Sequence, residues 1–381
     1  MSLNPVLVEN IFQRSLLKKT LIDRHQPTRN NQDLSLFMIT DQEFIEKVIS
    51  RINEELGLSL GEISAFKIYQ KEKFYFSEIY KIRLTFSKGL KNVVCKRYVD
   101  NELFKAERSV KKEYDILQYL HSKFSSIQGI NVIKPITILA EDNVLVSEDF
   151  SGIKLNKLVV DHIRWVPSKQ KKEQLMEKVK ACGRWLKYFH KFTKKSETEI
   201  LSYHRFIKSI EKLLLSSREY GLTQDMQENI YEFIKNKFSI IEVKELDVVG
   251  HHQDFNSWNI IAAENEIRVL DFDRFSYSNK YEDYTLFLCT LESMKSILGM
   301  NHRNITLLQQ AFMKGYGNGS IDSDVLDLYT LKNMLKALTM ILSDISADNF
   351  LGMVYEKYRK KRQIRNYLNV LSTFKRNPKY D

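Results

Sequence analysis

Hydrophobic positions in the first third of the chain predict a helix followed by strands. Apolar residues recur at helical spacing over 44–56, directly behind Thr40-Asp41-Gln42-Glu43, whose spacing is that of a capping box at a helix start. Aromatic and β-branched residues then dominate 74–86 and 92–99, and Ser87-Lys88-Gly89 has the composition of a turn between them. We therefore expect a β-hairpin after the first helix.

A second helix and two further strands complete this β-rich part. The apolar stripe of the helix includes Phe104, Val110 and Leu120, which recur at helical spacing. Strands are predicted at 132–139 and 143–148, where apolar and β-branched residues flank a polar connection.

Beyond residue 150 helical periodicity dominates, and one strand-rich island at 246–272 interrupts it. The helices predicted before the island are 168–192, 202–217 and 223–238. Strands followed by helices indicate an α+β fold. We expect an N-terminal extension at 1–40, a β-rich part at 41–149 and a mainly helical part at 150–381.

Composition narrows the class of protein. The chain has 381 residues, with only 13 glycines and 5 prolines, which favours helices over many tight turns. Its three cysteines are widely spaced and odd in number, which is typical of a reduced compartment and excludes a disulfide framework or a cysteine-based zinc site. No apolar run approaches the ~18 residues of a membrane span. We expect a cytoplasmic protein.

The strand-rich island carries the candidate chemistry. An apolar strand leads into a polar loop that presents Asp254 and, five residues later, Asn259. A hairpin pattern around Glu264-Asn265-Glu266 then returns the chain, so that Asp271 is expected beside Asn259. Phosphoryl transfer uses this set, because Mg²⁺ prefers oxygen ligands and a separate carboxylate must accept the proton of the attacking hydroxyl. Asp254 is the expected base, and Asn259 and Asp271 are the expected holders of Mg–ATP. Any one of them alone would fit a structural role.

These residues resemble the aminoglycoside phosphotransferase and choline kinase family of small-molecule kinases, whose fold is protein-kinase-like. The family signature, H-x-D-x4-N followed by an Asp between hydrophobic residues, reads here as His252-Gln253-Asp254…Asn259 and Val269-Leu270-Asp271-Phe272. Many members have Gly where Gln253 stands and His-Pro-Gly at 256–258. Asp283 matches a further Asp of the family. The resemblance covers about residues 60–290 and implies a two-lobed fold with an antiparallel sheet in the N-lobe, a mainly helical C-lobe, and ATP and Mg²⁺ as cofactors.

The resemblance also implies a nucleotide site in the β-rich part. Strand alternation leaves both Lys96 and Arg97 open as the phosphate-binding cation, and the resemblance favours Lys96. Its carboxylate partner is Glu107 or Glu113, and the family's E-x-x-x-L-x-x-L pattern selects Glu113. The remaining expected contacts are Ser77 at the phosphate-covering turn, and Glu148 and Phe150 in the hinge that meets adenine.

Two histidines near these motifs are expected to be structural. His190 stands at a helix end, where a histidine more often meets carbonyl groups than performs chemistry. His252 is expected to brace the catalytic loop, while His251, on the opposite face of a strand, argues against a two-histidine metal site.

The expected acceptor is a hydroxyl group of a small molecule or glycan. Asp271 is followed after only twelve residues by Asp283, which leaves no room for the long activation loop of protein kinases. The resemblance implies that 153–245 and 285–381 set specificity. The net charge of +11 makes a sugar-like acceptor a slightly better fit than a polycationic aminoglycoside.

The basic surplus also leaves a second hypothesis open: a non-enzymatic protein associated with nucleic acid or membrane. Six basic residues lie between Lys357 and Arg365, and an apolar stripe follows from Ile364 to Phe374. This helix could contact an anionic membrane, although docking of the stripe on the protein core is the better expectation. No RNA-binding motif supports specific nucleic-acid recognition, and the oligomeric state stays open.

Overall fold

The described part of the chain forms two units, each with its own hydrophobic core. The structure, a computed structural model, describes residues 34–74, 77–99, 110–165, 168–241, 243–317, 319, 321–341 and 350–374. Among these, the first unit holds the residues up to Ser126, then Val132–Ser151 and Asp271–Arg274, and the second unit holds the rest. Residues 1–33 of the predicted extension, Phe104 and Glu107 lie outside the described residues.

The helices and strands are as follows in chain order. The helices are α1 (Leu34–Leu60), α2 (Val110–Phe124), α3 (Leu155–Ile163), α4 (Lys169–Thr193), α5 (Tyr203–Ser217), α6 (Gln224–Ile241), α7 (Tyr281–Ser293), α8 (His302–Tyr316), α9 (Ser323–Thr339) and α10 (Phe350–Leu371). The strands are β1 (Ile63–Lys73), β2 (Ser77–Phe86), β3 (Gly89–Tyr98), β4 (Ile130–Val132), β5 (Pro135–Leu139), β6 (Val144–Glu148), β7 (Ile153–Lys154), β8 (Thr198–Leu201), β9 (Lys244–His251), β10 (Ile260–Ala262), β11 (Ile267–Val269) and β12 (Ser276–Asn279). The expected α+β class is confirmed.

Helix α1 covers one face of the first unit's sheet. Phe44, Ile45, Val48 and Ile52 are buried in one core with the β2 side chains Tyr80, Ile82 and Leu84. The helix begins at Leu34 rather than at the capping box over 40–43, so the predicted start is wrong. No glycine or proline lies between residues 34 and 40 to interrupt a helix, which is why the helix extends from the capping box back to Leu34.

The sheet of the first unit has five antiparallel strands in the order β1-β2-β3-β6-β5. The predicted hairpin is confirmed, because Phe86 pairs with Gly89 across the turn and Ser77 pairs with Tyr98. Strand β1 was not foreseen from the sequence. It is an edge strand whose side chains are mostly exposed on both faces, so no alternation of burial marks it in the sequence.

In the second unit, α4 packs mainly against α8. Its face of Leu175, Val179, Leu186 and Phe189 is buried. Against α8 the two backbones approach very closely at Gly183, where an added Cβ would lie 2.0 Å from the carbonyl oxygen of Phe312. Only glycine permits this approach.

Helices α5, α6, α9 and α10 share a second core in this unit. Helix α10 contributes the buried Tyr367 and Leu371, with Ile364 and Leu368 packed beside them. The expected docking of the C-terminal apolar stripe is therefore confirmed for these residues. Lys357, Lys361 and Arg365 are exposed on the same helix. Within the described residues, no helix combines the length and apolar character that a bilayer crossing requires.

Two small sheets shape the loops of the second unit. Strands β10 and β11 form an antiparallel hairpin in which Ile260 pairs with Val269 and Ala262 pairs with Ile267, as predicted from the island. They belong to a four-stranded sheet in the order β4-β11-β10-β7, and a three-stranded sheet has the order β12-β9-β8. The polar loop 252–256 therefore leaves β9 and enters β10 after a short turn at Ser257–Asn259.

Candidate active site

The loop between β9 and β10 brings two predicted site residues into contact. The amide nitrogen of Asn259 donates to the Asp254 carboxylate oxygen Oδ2 at 2.9 Å and to the Asp254 carbonyl oxygen at 3.0 Å. The turn at Ser257–Asn259 reverses the chain over five residues, which is why the D-x4-N spacing places these side chains together. Both residues are partly buried.

Asp283 anchors the backbone of this loop from α7. Its carboxylate is buried and accepts hydrogen bonds from the backbone N–H groups of His252 at 2.7 Å and Gln253 at 3.1 Å. The Nε2 atom of His251 lies 3.3 Å from the same carboxylate. Hydrogen bonds to a charged carboxylate are stronger than those between neutral groups, so the single carboxylate of Asp283 fixes the backbone at the start of the loop.

His252 connects the loop to the hairpin, as expected of a bracing residue. Its Nε2 atom lies 2.9 Å from the carbonyl oxygen of Leu270, and its Nδ1 atom accepts from the N–H group of Asp254 at 3.4 Å. An Nδ1 acceptor requires the ring proton on Nε2, where it is donated to Leu270. His252 is fully buried.

Gln253 stands at a position where the family that this sequence resembles commonly has glycine. Gln253 has φ +67°, in the left-handed region that glycine adopts freely. Gly is common at this position in that family, and Gln253 takes the same conformation at some cost in strain. Its side-chain nitrogen donates to the Ser276 hydroxyl oxygen at 2.8 Å, a bond that a glycine would lack.

In the first unit, Lys96 of β3 joins the two predicted acidic residues. Its ammonium contacts Asp271 Oδ1 and lies 3.6 Å from Glu113 Oε2. Burial acts to lower the pKa of Lys96, but Asp271 and Glu113 outweigh it and raise that pKa well above its usual value. Lys96 therefore stays protonated.

Lys96 and Arg97 lie on opposite faces of the sheet. Arg97 extends over the Phe44 ring of α1, 4.7 Å from its centroid, on the face of the sheet that α1 covers. Lys96 lies on the opposite face with Glu113. Strand alternation places the two cations on opposite faces of the sheet, and the packing of α1 determines which of these faces is covered by a helix.

Glu113 is a buried carboxylate with three partners. Oε1 accepts from the backbone N–H of Phe272 at 3.0 Å, and Oε2 accepts from the hydroxyl group of Tyr98 and faces Lys96. The bond to Phe272 fixes the residue after Asp271, and Asp271 itself has the left-handed φ of +69°. Non-glycine residues in this region are uncommon and cluster at functional sites.

Tyr98 and Asn256 are site residues that the sequence reasoning missed. Tyr98 stands two residues after Lys96 on the same strand, so alternation places both on one face, and this signal could have found it. Asn256 donates to Asp254 Oδ1 at 2.6 Å, and its signal was its position two residues after the expected base.

Ser77, Glu148 and Phe150 all lie in the first unit. Ser77 begins β2, and its carbonyl oxygen accepts from Phe74 at 2.7 Å. Glu148 ends β6; its N–H donates to the Lys134 carbonyl, and its Oε1 accepts from the Lys134 N–H, each at 3.0 Å. The nucleotide contacts expected of these three residues remain predictions.

Asn259 in the second unit and Asp271 in the first unit each carry an oxygen donor of the type that Mg²⁺ prefers. The amide nitrogen of Asn259 is engaged with Asp254, so the side-chain carbonyl oxygen is the atom that would face a cation. Asp271 supplies a partly exposed carboxylate. The described residues contain no cluster of three or more His, Cys, Asp or Glu side chains suited to a metal. Mg²⁺ characteristically uses one or two protein oxygens and takes its other ligands from phosphates and water.

Comparison with solved structures identifies the fold. A glucosamine kinase matches with a TM-score of 0.52 at 9% sequence identity, over 83% of this chain and 97% of that one. The chain has the protein-kinase-like fold. A choline kinase from Cryptosporidium parvum matches with a TM-score of 0.48 and 12% identity, over 86% of this chain and 97% of that one.

An ethanolamine kinase from Plasmodium vivax matches with a TM-score of 0.47 and 15% identity, over 95% of this chain and 96% of that one. No protein-family model matches the sequence. No curated protein matches it either. The match to the glucosamine kinase confirms the fold expected from the sequence, and at 9% identity it speaks for the fold alone.

Proposed function

We propose that this protein is an ATP- and Mg²⁺-dependent phosphotransferase that phosphorylates a hydroxyl group of a small molecule or glycan. The observation that carries the proposal is the placement of Lys96 between Glu113 and Asp271, residues distant in the sequence. A protonated lysine held by two carboxylates is a ready partner for nucleotide phosphates, and a purely structural role does not require it.

The proposed reaction assigns a role to each residue. Lys96, oriented by Glu113, binds phosphate oxygens of ATP, and Asp254 accepts the proton of the acceptor hydroxyl as its oxygen bonds to the γ-phosphorus. The bond from that phosphorus to the β,γ-bridging oxygen breaks, and ADP leaves. Asn259 and Asp271 would hold Mg²⁺, which neutralises phosphate charge when bound.

The nucleotide is proposed to lie against the strands of the first unit. Ser77 would contact a phosphate oxygen through its hydroxyl, and the backbone at Glu148 and Phe150 would meet adenine. Backbone recognition tolerates most side chains at these positions, so substitutions there are weaker tests than changes at Lys96 or Asp254.

A sugar-like acceptor is the preferred class. The basic charge of the chain disfavours a polycationic substrate, because like charges raise the free energy of binding. Glucosamine kinase, which shares the fold, is by its name a kinase of an amino sugar. Amino sugars and neutral sugars therefore belong in the first panel, with amino alcohols and aminoglycosides beside them.

The test is a coupled assay of ADP release with Mg–ATP across this panel. We expect acceptor-dependent turnover that Asp254→Asn abolishes while the melting temperature is retained. Asp225→Asn is the matched control, since Asp225 is an exposed carboxylate in the first turn of α6. If Mg–ATP fails to raise the melting temperature and no acceptor stimulates ADP release, the proposal is wrong.

A further inference from the structure

Asn256 joins the candidate catalytic base to the turn that follows it. Its side-chain oxygen accepts from the backbone N–H groups of Trp258 at 2.9 Å and Asn259 at 3.3 Å, which caps the short turn. Its side-chain nitrogen donates to Asp254 Oδ1 at 2.6 Å. The two N–H groups define which end of the amide is the acceptor, so the donor end must face Asp254.

The Asp254 carboxylate is consequently held at both oxygens. Asn256 donates to Oδ1 and Asn259 donates to Oδ2, each from a side-chain amide. A carboxylate bonded at one oxygen can still rotate about its terminal torsion, which is broad for aspartate. Two donors on opposite sides remove that freedom and set the direction of the remaining lone pairs.

We propose that Asn256 is a positioning residue that orients the Asp254 carboxylate toward the acceptor hydroxyl. The side-chain oxygen of Asn256 caps the turn and so fixes the amide group, and the side-chain nitrogen of the same amide donates to Asp254. The inference rests on the proposed function, which supplies the reaction. Its content is specific: the donor nitrogen of Asn256 matters for turnover independently of the cap made by its oxygen.

Two substitutions separate the donor from the cap. Asn256→Ser keeps a favoured N-cap oxygen and removes the amide donor, whereas Asn256→Asp keeps the cap and the shape but places a second acceptor against Asp254. A residue that serves the loop structure alone would tolerate Asn256→Ser, because Ser and Asn cap turns and helices about equally well.

We expect kcat to fall roughly tenfold to a hundredfold in Asn256→Ser, and further in Asn256→Asp, while the KM for ATP changes less than about threefold. Wild-type kcat in both folded variants would overturn the inference.

Crystal structures of the wild type and Asn256→Ser test the inference without any acceptor. We expect one Asp254 conformer in the wild type and a second conformer, or clearly higher displacement of the carboxylate, in the variant. An unchanged Asp254 carboxylate in the variant would overturn the inference. Absence of phosphotransfer in the wild type would instead refute the proposed function, and these crystal structures would still decide whether Asn256 orients the carboxylate.

Discussion

Glu113→Gln gives the sharpest test of the Lys96 arrangement, because it keeps the shape of the side chain and removes its charge. Glu113 Oε2 lies 3.6 Å from Lys96 Nζ, and both side chains are largely buried. At an effective dielectric constant of about 20, this attraction is of order 4–5 kcal/mol before desolvation is subtracted. The glutamine can still accept from Phe272 N–H, and Lys96 keeps Asp271.

The net cost is therefore expected near that of losing one hydrogen bond to a charged group, about 1.5–3 kcal/mol. At about 2–4 °C per kcal/mol, the melting temperature falls by about 3–12 °C. Mg–ATP binding weakens as well, because the ammonium of Lys96 is less firmly placed. Differential scanning fluorimetry with and without Mg–ATP measures both effects.

Asp115→Asn is the matched control for this prediction. Asp115 lies on the same helix, is exposed, and loses the same charge on substitution. Its cost is expected within about 0.5 kcal/mol, as for most surface changes. If Glu113→Gln melts and binds nucleotide like Asp115→Asn, the reasoning about Lys96 and Glu113 is refuted.

Three further predictions follow from packing and burial. Tyr98→Phe removes the hydroxyl that donates to Glu113 and should cost about 1.5–3 kcal/mol in the free energy of unfolding by urea. Gly183→Ala should lower the melting temperature, since its Cβ would meet a backbone oxygen, whereas Gly57→Ala should raise stability by about 0.5–1 kcal/mol in a helix with space. Burial, with the nearby positive charges, lowers the pKa of His190 to about 3. The free energy of unfolding of the wild type should therefore fall by about 1.4 kcal/mol per pH unit as the pH falls from about 6.5 toward 3, and His190→Asn should reduce that slope.

The sign of the pH effect follows from proton uptake. Below pH 6.5 an unfolded histidine binds a proton that buried His190 refuses until about pH 3, so stability is fully present above 6.5 and is lost on acidification. His251 and Lys280 are the charged groups that add to the effect of burial. His204→Asn, at an exposed position on α5, serves as control and should leave the slope unchanged.

Each of these predictions has a result that would contradict it. A Tyr98→Phe variant as stable as the wild type would mean that the hydroxyl adds nothing to the Glu113 carboxylate. Equal responses at Gly183 and Gly57 would refute the close contact of α4 and α8. An acid slope unchanged by His190→Asn would place the titrating group elsewhere.

Local sequence was sufficient to predict the loop that carries Asp254 and Asn259. The D-x4-N spacing and the hairpin around 264–266 determine the Asp254–Asn259 contact and the strand pairing, because both arise within one short segment. The hairpin turn at 87–89 was predictable for the same reason. In each case the interacting residues are neighbours in the chain, and backbone geometry alone brings them together.

Contacts between distant segments were decided only by the tertiary structure. Alternation along β3 does not show whether Lys96 or Arg97 faces Glu113, and the packing of α1 against one face of the sheet places Arg97 on that covered face. The edge strand β1 has no burial pattern to reveal it, and the strained φ values of Gln253 and Asp271 depend on partners far away in the chain. Strand periodicity shows only that neighbouring residues lie on opposite faces of a sheet. Which face is buried depends on packing against segments that are distant in the chain.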